Sequence, residues 1–321
     1  MGKKKAVTTS SGIEVREKPL GLRIWNNRGY YVMFLPVLIF LIIIHYWPML
    51  GVRYSFYSYK SVGQPSWVGF DNFKRMFSTA AFWTSFKNTL VLSIVKLIIT
   101  NIASVVVSIF LNEMGNLLAK KTLQTLIYLP HFMSWAVVAS IFSLLLSPSS
   151  TGMINGWLND LGIIHGYDEY IYFLASKTWW RPIYYVINIW KDTGWGTIIF
   201  LATLSGINPE LYEAADIDGA TRMQKIRFVT LPALANTIIT VLILNLAKVM
   251  NLFESVFVLY NSAVYDVSDV IATYIYRQTF AVAMPDYGYS TAVGLFRSLV
   301  GCFLVLVCNW ISKKTRGRGI V

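Results

Sequence analysis

The chain has 321 residues, of which 55% are hydrophobic and only 14% are charged. A soluble domain carries about 25% charged residues, so this composition, with its recurrent long apolar runs, excludes an ordinary soluble fold and indicates a membrane protein. The net charge of +12 would suit nucleic acid, but the basic residues flank the apolar runs, as they do in membrane proteins, and we expect no nucleic-acid partner.

The N-terminal segment 1–28 is polar and basic, which predicts a cytoplasmic tail. The apolar run that follows covers about residues 30–57. It is too long for the hydrophobic region of a signal peptide, and no small-residue cleavage site lies nearby. We therefore predict that it is a retained first transmembrane span, with an aromatic outer end at Tyr46 and Trp47.

Five further apolar segments are each close to the roughly 20 residues that a helix needs to cross a bilayer. We place these spans at about 88–112, 122–147, 182–206, 234–260 and 290–311. Between the last two, the amphipathic segment 267–280 is predicted to lie at the outer interface of the membrane. The sequence thus predicts an all-α membrane protein with six transmembrane helices over 29–311, surrounded by membrane lipid, and a C-terminal tail at 312–321.

The lysines and arginines are distributed unequally along this arrangement. Of the 28, 16 fall in the two tails and in the second and fourth connections, seven fall in the other three connections, and five lie within spans. Basic residues accumulate on the cytoplasmic side of membrane proteins. Both termini and the fourth connection are therefore predicted to be cytoplasmic, in a multi-pass protein of the cell membrane.

The fourth connection, 208–232, is the longest polar break on the predicted cytoplasmic side. Asn208 is a good helix N-cap, and Pro209 suits the first helical position because its missing N–H would have no partner there. Gly219 can adopt the positive φ that ends a helix. A second short helix towards Thr230 would then lead into the fifth span, so we predict a helix, a glycine turn and a second helix.

Matching residues at fixed spacing make this connection resemble the EAA loop of ABC importer permeases. The matching residues are Glu213, Ala214, Ala215, Asp218, Gly219, Ala220, Phe228, Leu231 and Pro232. In that family the loop is the coupling helix, which docks into a cleft of the cytoplasmic ATPase, and the resemblance implies that role for these residues. One departure is Asn236, which stands where the family often has a second proline. The alternative is an ordinary amphipathic hairpin at the membrane interface.

Segments on both sides of the loop narrow this resemblance. The stretches 189–202, 253–261, 268–276 and 294–298 are similar to the carbohydrate-uptake branch, in particular to permeases for complex oligosaccharides. The resemblance covers nearly the whole chain after residue 25. It implies that 29–311 is a permease domain that forms half of a pore for oligosaccharides. It also implies four further subunits: a second homologous permease, two cytoplasmic ATP-binding subunits and an extracytoplasmic sugar-binding protein.

Polar residues within the spans are candidates for the substrate pathway. Charges are costly in hydrocarbon, so they usually face the interior of a helix bundle or water. The candidates are Asn188, Trp190, Lys191, Asp192, Trp195, Asn245, Lys248, Asn251, Glu254 and Arg297. The alternative for each polar residue is a contact between helices that only supports packing, and the alternative for the tryptophans is interface anchoring or a place in the core.

Basic groups outnumber acidic groups within the spans. The basic ones are Lys96, Lys191, Lys248 and Arg297, and the acidic ones at comparable depth are Asp192 and Glu254. An unmatched cation would be neutralised, turned to water or matched by an anionic ligand. A uronate-containing oligosaccharide would supply that anion. Alternatively, Lys96 or Arg297 pairs with a carboxylate of the second permease or reaches the membrane surface.

Other functions remain as alternatives. One is import of a peptide, an amino acid or an ion, although the aromatic outer connections favour sugars. Another is a membrane receptor or scaffold that transports nothing. An enzyme is not indicated, because His45, His131 and His165 are scattered and no catalytic spacing stands out. No GxxxxGK[ST] motif occurs, so ATP hydrolysis must take place on separate subunits. No cofactor or metal is expected, since Cys302 and Cys308 lie on different helix faces.

Overall fold

The computed structural model describes residues 6–8, 14–16, 19–149 and 151–316, and it divides into two units, Met1–Tyr54 and Ser55–Val321. Residues 1–5, 9–13 and 17–18 of the predicted N-terminal tail and residues 317–321 of the C-terminal tail lie outside the described residues. The first unit contains an antiparallel pair of short strands followed by helices. These elements are β1 (Ala6–Thr8), β2 (Glu14–Arg16), α1 (Leu20–Asn26), α2 (Arg28–Phe40), a π-helical segment (Leu41–Tyr46), α3 (Trp47–Met49) and a 3-10 helix (Leu50–Phe56), whose last two residues belong to the second unit.

The second unit is almost entirely helical. Its first part contains β3 (Tyr57–Ser58), β4 (Ser66–Trp67), α4 (Asp71–Ser78), α5 (Ala80–Glu113), α6 (Leu117–Tyr128), a 3-10 turn (Leu129–Phe132), α7 (Trp135–Leu145), α8 (Met153–Asp160), a 3-10 turn (Tyr167–Glu169) and α9 (Trp180–Leu204). Its second part contains α10 (Glu210–Ile217), α11 (Arg222–Lys225), a π-helical turn (Ile226–Thr230), α12 (Leu231–Leu246), a 3-10 turn (Val249–Asn251), α13 (Glu254–Phe257), a 3-10 turn (Ser262–Val264), α14 (Tyr265–Ser268), α15 (Ile271–Phe280) and α16 (Tyr287–Arg316).

Four of the described helices are long and apolar enough to cross a membrane: Arg28–Phe56, Ala80–Glu113, Arg222–Leu246 and Tyr287–Lys314. A fifth candidate is the pair Leu117–Phe132 and Trp135–Leu145, if these two helices are counted as one span. The prediction of an all-α membrane protein is confirmed at this level. The predicted fourth span corresponds to α9, which carries Arg181, Lys191 and Asp192 and is not among these candidates.

Two of the predicted spans are not continuous helices. Within 122–147 the chain turns by 102° between α6 and α7. Pro130 lies at this turn and has no N–H to donate, and Ser134 begins the next helix by accepting a hydrogen bond from the N–H of Val137 at 3.3 Å. Within 234–260, α12 ends at Leu246 and helical structure resumes only in short pieces. Hydropathy alone did not predict these breaks, because the residues around them stay largely apolar.

The predicted amphipathic segment 267–280 is also divided, between α14 and α15. The carboxylate of Asp269 lies at the division, where it pairs with Arg277 and accepts hydrogen bonds from Ser85 (2.9 Å) and Thr273 (2.8 Å). Burial raises the pKa of Asp269, although its hydrogen bonds and Arg277 act in the opposite direction. These bonds hold the segment against α5, which contains Ser85.

Close packing of α5 on α9 forms the centre of the second unit. A Cβ atom at Gly196 would collide with the side chain of Ser104 on α5. The hydroxyl of Ser104 donates to the carbonyl oxygen of Thr193 at 3.0 Å. Small residues and hydroxyl groups of this kind allow helices to approach closely in a membrane. The contact fixes the polar face of α9 against its neighbours.

Candidate functional site

A cavity of about 740 Å³ lies among α5, α9 and α12 in the second unit. Its lining is mixed, with apolar walls and a set of polar side chains. The polar and aromatic lining residues are Ser93, Lys96, Thr100, Asn101, Ser104, His131, Asp192, Trp195, Phe200, Asn245, Lys248 and Asn251. Cavities of this size that combine apolar surface with a few polar groups are typical of small-molecule sites. We call this cavity the cleft.

The cleft includes five of the ten residues that the sequence suggested for a substrate pathway: Asp192, Trp195, Asn245, Lys248 and Asn251. The other five, Asn188, Trp190, Lys191, Glu254 and Arg297, are not among its lining residues. Asn188 is fully buried and donates to the carbonyl oxygen of Tyr184 at 2.7 Å. Trp190 contacts the ring of Phe142 edge to face, with ring centroids 5.5 Å apart. Glu254 is exposed at the start of α13, and Arg297 is half-buried in α16.

An ion pair crosses the cleft between α5 and α9. The Nζ atom of Lys96 lies 3.0 Å from Oδ2 of Asp192, and both side chains are about one-quarter exposed. The Nδ1 atom of His131 lies 3.6 Å from the other carboxylate oxygen, Oδ1. The negative charge of Asp192 is therefore matched within this chain. Spacing along the sequence does not reveal this pairing, because its two members lie on different helices.

A flat aromatic surface borders the same ion pair. The rings of His131 and Trp195 are stacked, with centroids 5.0 Å apart and an angle of 15° between their planes. Trp195 is 52% exposed, so its ring is accessible from the cleft. In the sequence, His131 is one of three scattered histidines and was not predicted to be a site residue. Its position next to Pro130 was the available signal, since a proline at a helix break can bring the following residue into a cavity.

The two remaining lysines near the cleft have different surroundings. Lys191 is buried, and its ammonium group is bonded to backbone carbonyl oxygens of His131 (2.9 Å) and Met133 (2.7 Å). Lys248 is exposed on the cleft, and within the described part of the chain no carboxylate forms an ion pair with it. Basic groups outnumber acidic groups within the predicted spans. The structure places one of these basic groups, Lys248, at the cleft surface.

The second candidate site is the 208–232 connection, which we call the hairpin. The Oδ1 atom of Asn208 accepts a hydrogen bond from the N–H of Glu210 at 3.1 Å, at the start of α10. Gly219 adopts a φ of 74°, as the predicted turn requires. The two arms are joined by an ion pair of 2.7 Å between Asp216 and Lys225. The hairpin is therefore stabilised by contacts between its own residues, and the backbone conformation at its tip favours glycine.

Most of the residues that match the EAA pattern lie on the hairpin surface. Glu213, Ala214, Asp218, Gly219 and Phe228 are exposed, as are Leu231 and Pro232, whereas Ala215 and Ala220 are half-buried. Two large apolar side chains that the sequence analysis did not single out are also exposed, Ile217 at 87% and Met223 at 71%. Exposed apolar groups clustered with charged ones are typical of a surface that contacts another protein.

Comparisons with known proteins identify the family of this chain. Residues 104–317 match the family model described as "Binding-protein-dependent transport system inner membrane component". The chain is 40% identical over 299 residues to "Protein LplB" of Bacillus subtilis (strain 168), covering 92% of each chain. It is 37% identical over 309 residues to the "Polygalacturonan/rhamnogalacturonan transport system permease protein YteP" of the same organism, covering 95% of this chain and 94% of the relative.

Solved structures show the same similarity in three dimensions. A chain of a bacterial ABC transporter "involved in the import of the acidic polysaccharide alginate" superposes with a TM-score of 0.85 and 37% identity. The match covers 93% of this chain and 100% of that chain. A second structure, of a bacterial alginate ABC transporter in complex with an alginate pentasaccharide-bound periplasmic protein, superposes with the same TM-score at 36% identity, over 94% of this chain and 100% of that one.

Proposed function

This chain belongs to the family of binding-protein-dependent transport system inner membrane components, and from that membership we infer how its cleft and its hairpin work. It is a multi-pass membrane permease of an ABC importer for oligosaccharides or polysaccharides, and it is not an enzyme. The observation that carries this conclusion is the match to the family over most of the second unit, together with the permease relatives above.

We propose six spans, with α9 as the fourth of them. Its 25 residues would extend about 37 Å as a helix, more than the roughly 30 Å of a hydrocarbon core. Its polar residues are compatible with that position because they bond to other helices or face the cleft. The distribution of lysine and arginine supports cytoplasmic termini, tails at 1–28 and 312–321, and a cytoplasmic hairpin.

Cysteine labelling tests this topology. In a background with Cys302→Ser and Cys308→Ser, a Gly219→Cys variant should react with a membrane-impermeant maleimide only after the cells are opened. A Leu161→Cys variant, at an exposed position of the third connection, should react in intact cells. Labelling of the Gly219→Cys variant from outside would contradict the proposed topology.

We propose that the hairpin is the element that couples this permease to ATP hydrolysis. The complex would contain a second homologous permease, two cytoplasmic ATP-binding subunits and an extracytoplasmic sugar-binding protein. Closure of the ATP-binding subunits would move the hairpin, with Glu213 as a charged anchor and Ile217 and Phe228 as apolar contacts. Since α11 and its π-helical turn continue into α12, a movement of the hairpin would reach the cleft wall directly.

The cleft would hold the cargo while the permease changes between an outward-facing and an inward-facing state. The exposed face of Trp195 suits stacking against a sugar ring, and Asn101, Asn245 and Asn251 suit hydrogen bonding to sugar hydroxyl groups. We propose further that the cargo is acidic. Asp192 is already matched by Lys96, so Lys248 is available to a carboxylate of the cargo. The names of two similar proteins, which refer to alginate and to polygalacturonan, support this proposal.

Substitution of Lys248 tests the acidic cargo. In wild-type complexes, uptake of a uronate oligosaccharide should exceed uptake of a neutral oligosaccharide of the same length. In the Lys248→Gln variant, the ratio of acidic to neutral uptake should fall about fivefold to tenfold, because one partly screened charge interaction is removed. Lys87→Gln, at an exposed position outside the cleft lining, is the matched control. If the neutral sugar is preferred and Lys248→Gln changes neither rate, the cargo is not selected by this charge.

A further inference from the structure

The bend between α6 and α7 is a break in the backbone hydrogen bonding of a proposed span. α6 ends at Tyr128, a single 3-10 turn follows (Leu129–Phe132), and α7 leaves at 102°. The last carbonyl groups of a helix have no partners within the helix. At this bend they must find other donors.

The depth of the bend makes those donors necessary. α6 has 12 residues, which correspond to about 18 Å of helix. In the proposed topology it starts at the cytoplasmic surface, so the bend lies near the middle of a hydrocarbon core of about 30 Å. Non-helical backbone at this depth is tolerated only where it is bonded inside the protein or faces a water-filled cavity.

The donor at the bend is the ammonium group of Lys191 on α9. Its Nζ atom lies 2.7 Å from the carbonyl oxygen of Met133, 2.9 Å from that of His131 and 3.4 Å from that of Pro130. An ammonium group has three N–H donors, and three carbonyl oxygens surround it here. The side chain is only 4% exposed, so this cation is solvated by backbone dipoles instead of by water or a carboxylate.

One of these three residues, His131, also presents its side chain to the cleft. The ring of His131 stacks on Trp195 and its Nδ1 atom approaches Asp192. Lys191, Asp192 and Trp195 lie within five consecutive residues of α9. One stretch of helix therefore holds both the backbone and the ring of His131.

We propose that Lys191 is a positioning residue for transport: its ammonium group holds the carbonyl oxygens of the bend and thereby fixes the His131 ring against Trp195 in the cleft wall. Lys191 then acts through His131 and does not touch the cargo. The proposal rests on the proposed function, because the cleft must carry the cargo for the ring position to matter.

Hydrogen exchange tests the positioning directly, without any transport measurement. In the intact complex in lipid nanodiscs, Lys191→Met should raise amide exchange of peptides that cover 129–134 by about tenfold to a hundredfold. The carbonyl groups of the bend would lose their charge-assisted hydrogen bonds, so the bend would open more often and expose its N–H groups. Lys248→Met is the matched control, because Lys248 lines the cleft but makes no described bond to the bend, and it should leave these peptides unchanged. Unchanged exchange in Lys191→Met, or a rise spread evenly over all helices, would overturn the proposal.

Transport measurements then separate positioning from plain stability. His131→Ala should keep wild-type exchange at the bend, since Lys191 still holds the backbone, but should raise the KM for the oligosaccharide. Lys191→Met should raise the KM similarly, and the double variant should be no worse than either single one, because both changes act through the same ring. If Lys191→Met does not assemble, Lys191→Gln, which keeps two donors, should give intermediate exchange and an intermediate KM.

The outcomes distinguish this proposal from the proposed function. Additive effects of the two substitutions, or normal transport by Lys191→Met despite faster exchange at the bend, would overturn the positioning role. If the wild-type complex transported no oligosaccharide while the exchange result held, the proposed cargo would be wrong and the fixation of the bend would stand.

Discussion

Gly219→Val should reduce transport by about tenfold or more while the permease still reaches the membrane. Gly219 sits at φ 74° at the tip of the hairpin, with no neighbouring atom within 4 Å of a Cβ at this position. The effect would therefore come from backbone strain alone, because a left-handed conformation costs a residue with a side chain about 1–2 kcal/mol, and more when the residue is β-branched. Each 1.4 kcal/mol is about a tenfold change in the population of the docking conformation.

Uptake and binding-protein-stimulated ATPase activity should be measured together on the reconstituted complex, and both should fall. Gly219→Asn is the matched control, because asparagine tolerates the left-handed conformation, and it should stay near wild type. Glu213→Ala should cause a similar coupled loss, whereas Glu210→Ala, an acidic residue in the first turn of the same helix, should not. Full transport by both Gly219→Val and Glu213→Ala would show that the hairpin does not couple the permease to ATP hydrolysis.

Gly194→Ala should destabilise the permease, although alanine is the better helix former. A Cβ at Gly194 would collide with the carbonyl group of Ile127 and would lie 3.0 Å from the Cα atom of Tyr128. Both are backbone atoms of α6, which cannot rotate away, so α6 would have to move off α9. Overpacking of this kind costs about 1–3 kcal/mol, and it would also withdraw the bend from Lys191.

Thermal unfolding of the purified complex provides the measurement, followed by size-exclusion chromatography with a fluorescent fusion. Gly294→Ala is the control, and it is expected to change the midpoint of thermal unfolding in the opposite direction. Gly294 lies within α16 with no atom within 4 Å of an added Cβ, so alanine should raise stability by up to about 1 kcal/mol through helix propensity. Equal midpoints for the two variants would contradict the close approach of α6 and α9.

The features that the sequence predicted well are local ones. The hairpin could be predicted because a helix start near Asn208 and a glycine turn at Gly219 are specified within a few residues. The structure has the turn at Gly219. Asn208 accepts a hydrogen bond from the N–H of Glu210, but the N-cap of α10 is Pro209 and not Asn208 as predicted. Most of the apolar segments could be predicted in approximate position, because hydropathy averages over about 20 residues, and four or five of the six predicted spans have a counterpart among the candidate spans of the described residues. The same averaging hides the breaks after Tyr128 and Leu246, where a few residues change direction inside an apolar run.

The features that could not be predicted are contacts between distant parts of the chain. Lys96 and Asp192 were counted as separate charges, but they form one ion pair across two helices. Lys191 was considered for the substrate pathway on the basis of its charge, and no sequence pattern indicates that three backbone carbonyl groups surround it. His131 acquires its place in the cleft from the bend. These arrangements depend on tertiary packing, so spacing along one helix does not reveal them.

ATP-driven uptake into proteoliposomes tests the central claim most directly. The vesicles would contain this chain with its second permease and ATP-binding subunits, and the sugar-binding protein and a labelled uronate oligosaccharide would be outside. We predict uptake that requires internal ATP, that is lost with Gly219→Val and that is competed by unlabelled acidic oligosaccharide more strongly than by a neutral one of the same length. Uptake that is independent of ATP, or that is unaffected by Gly219→Val, would contradict an importer permease coupled through this hairpin.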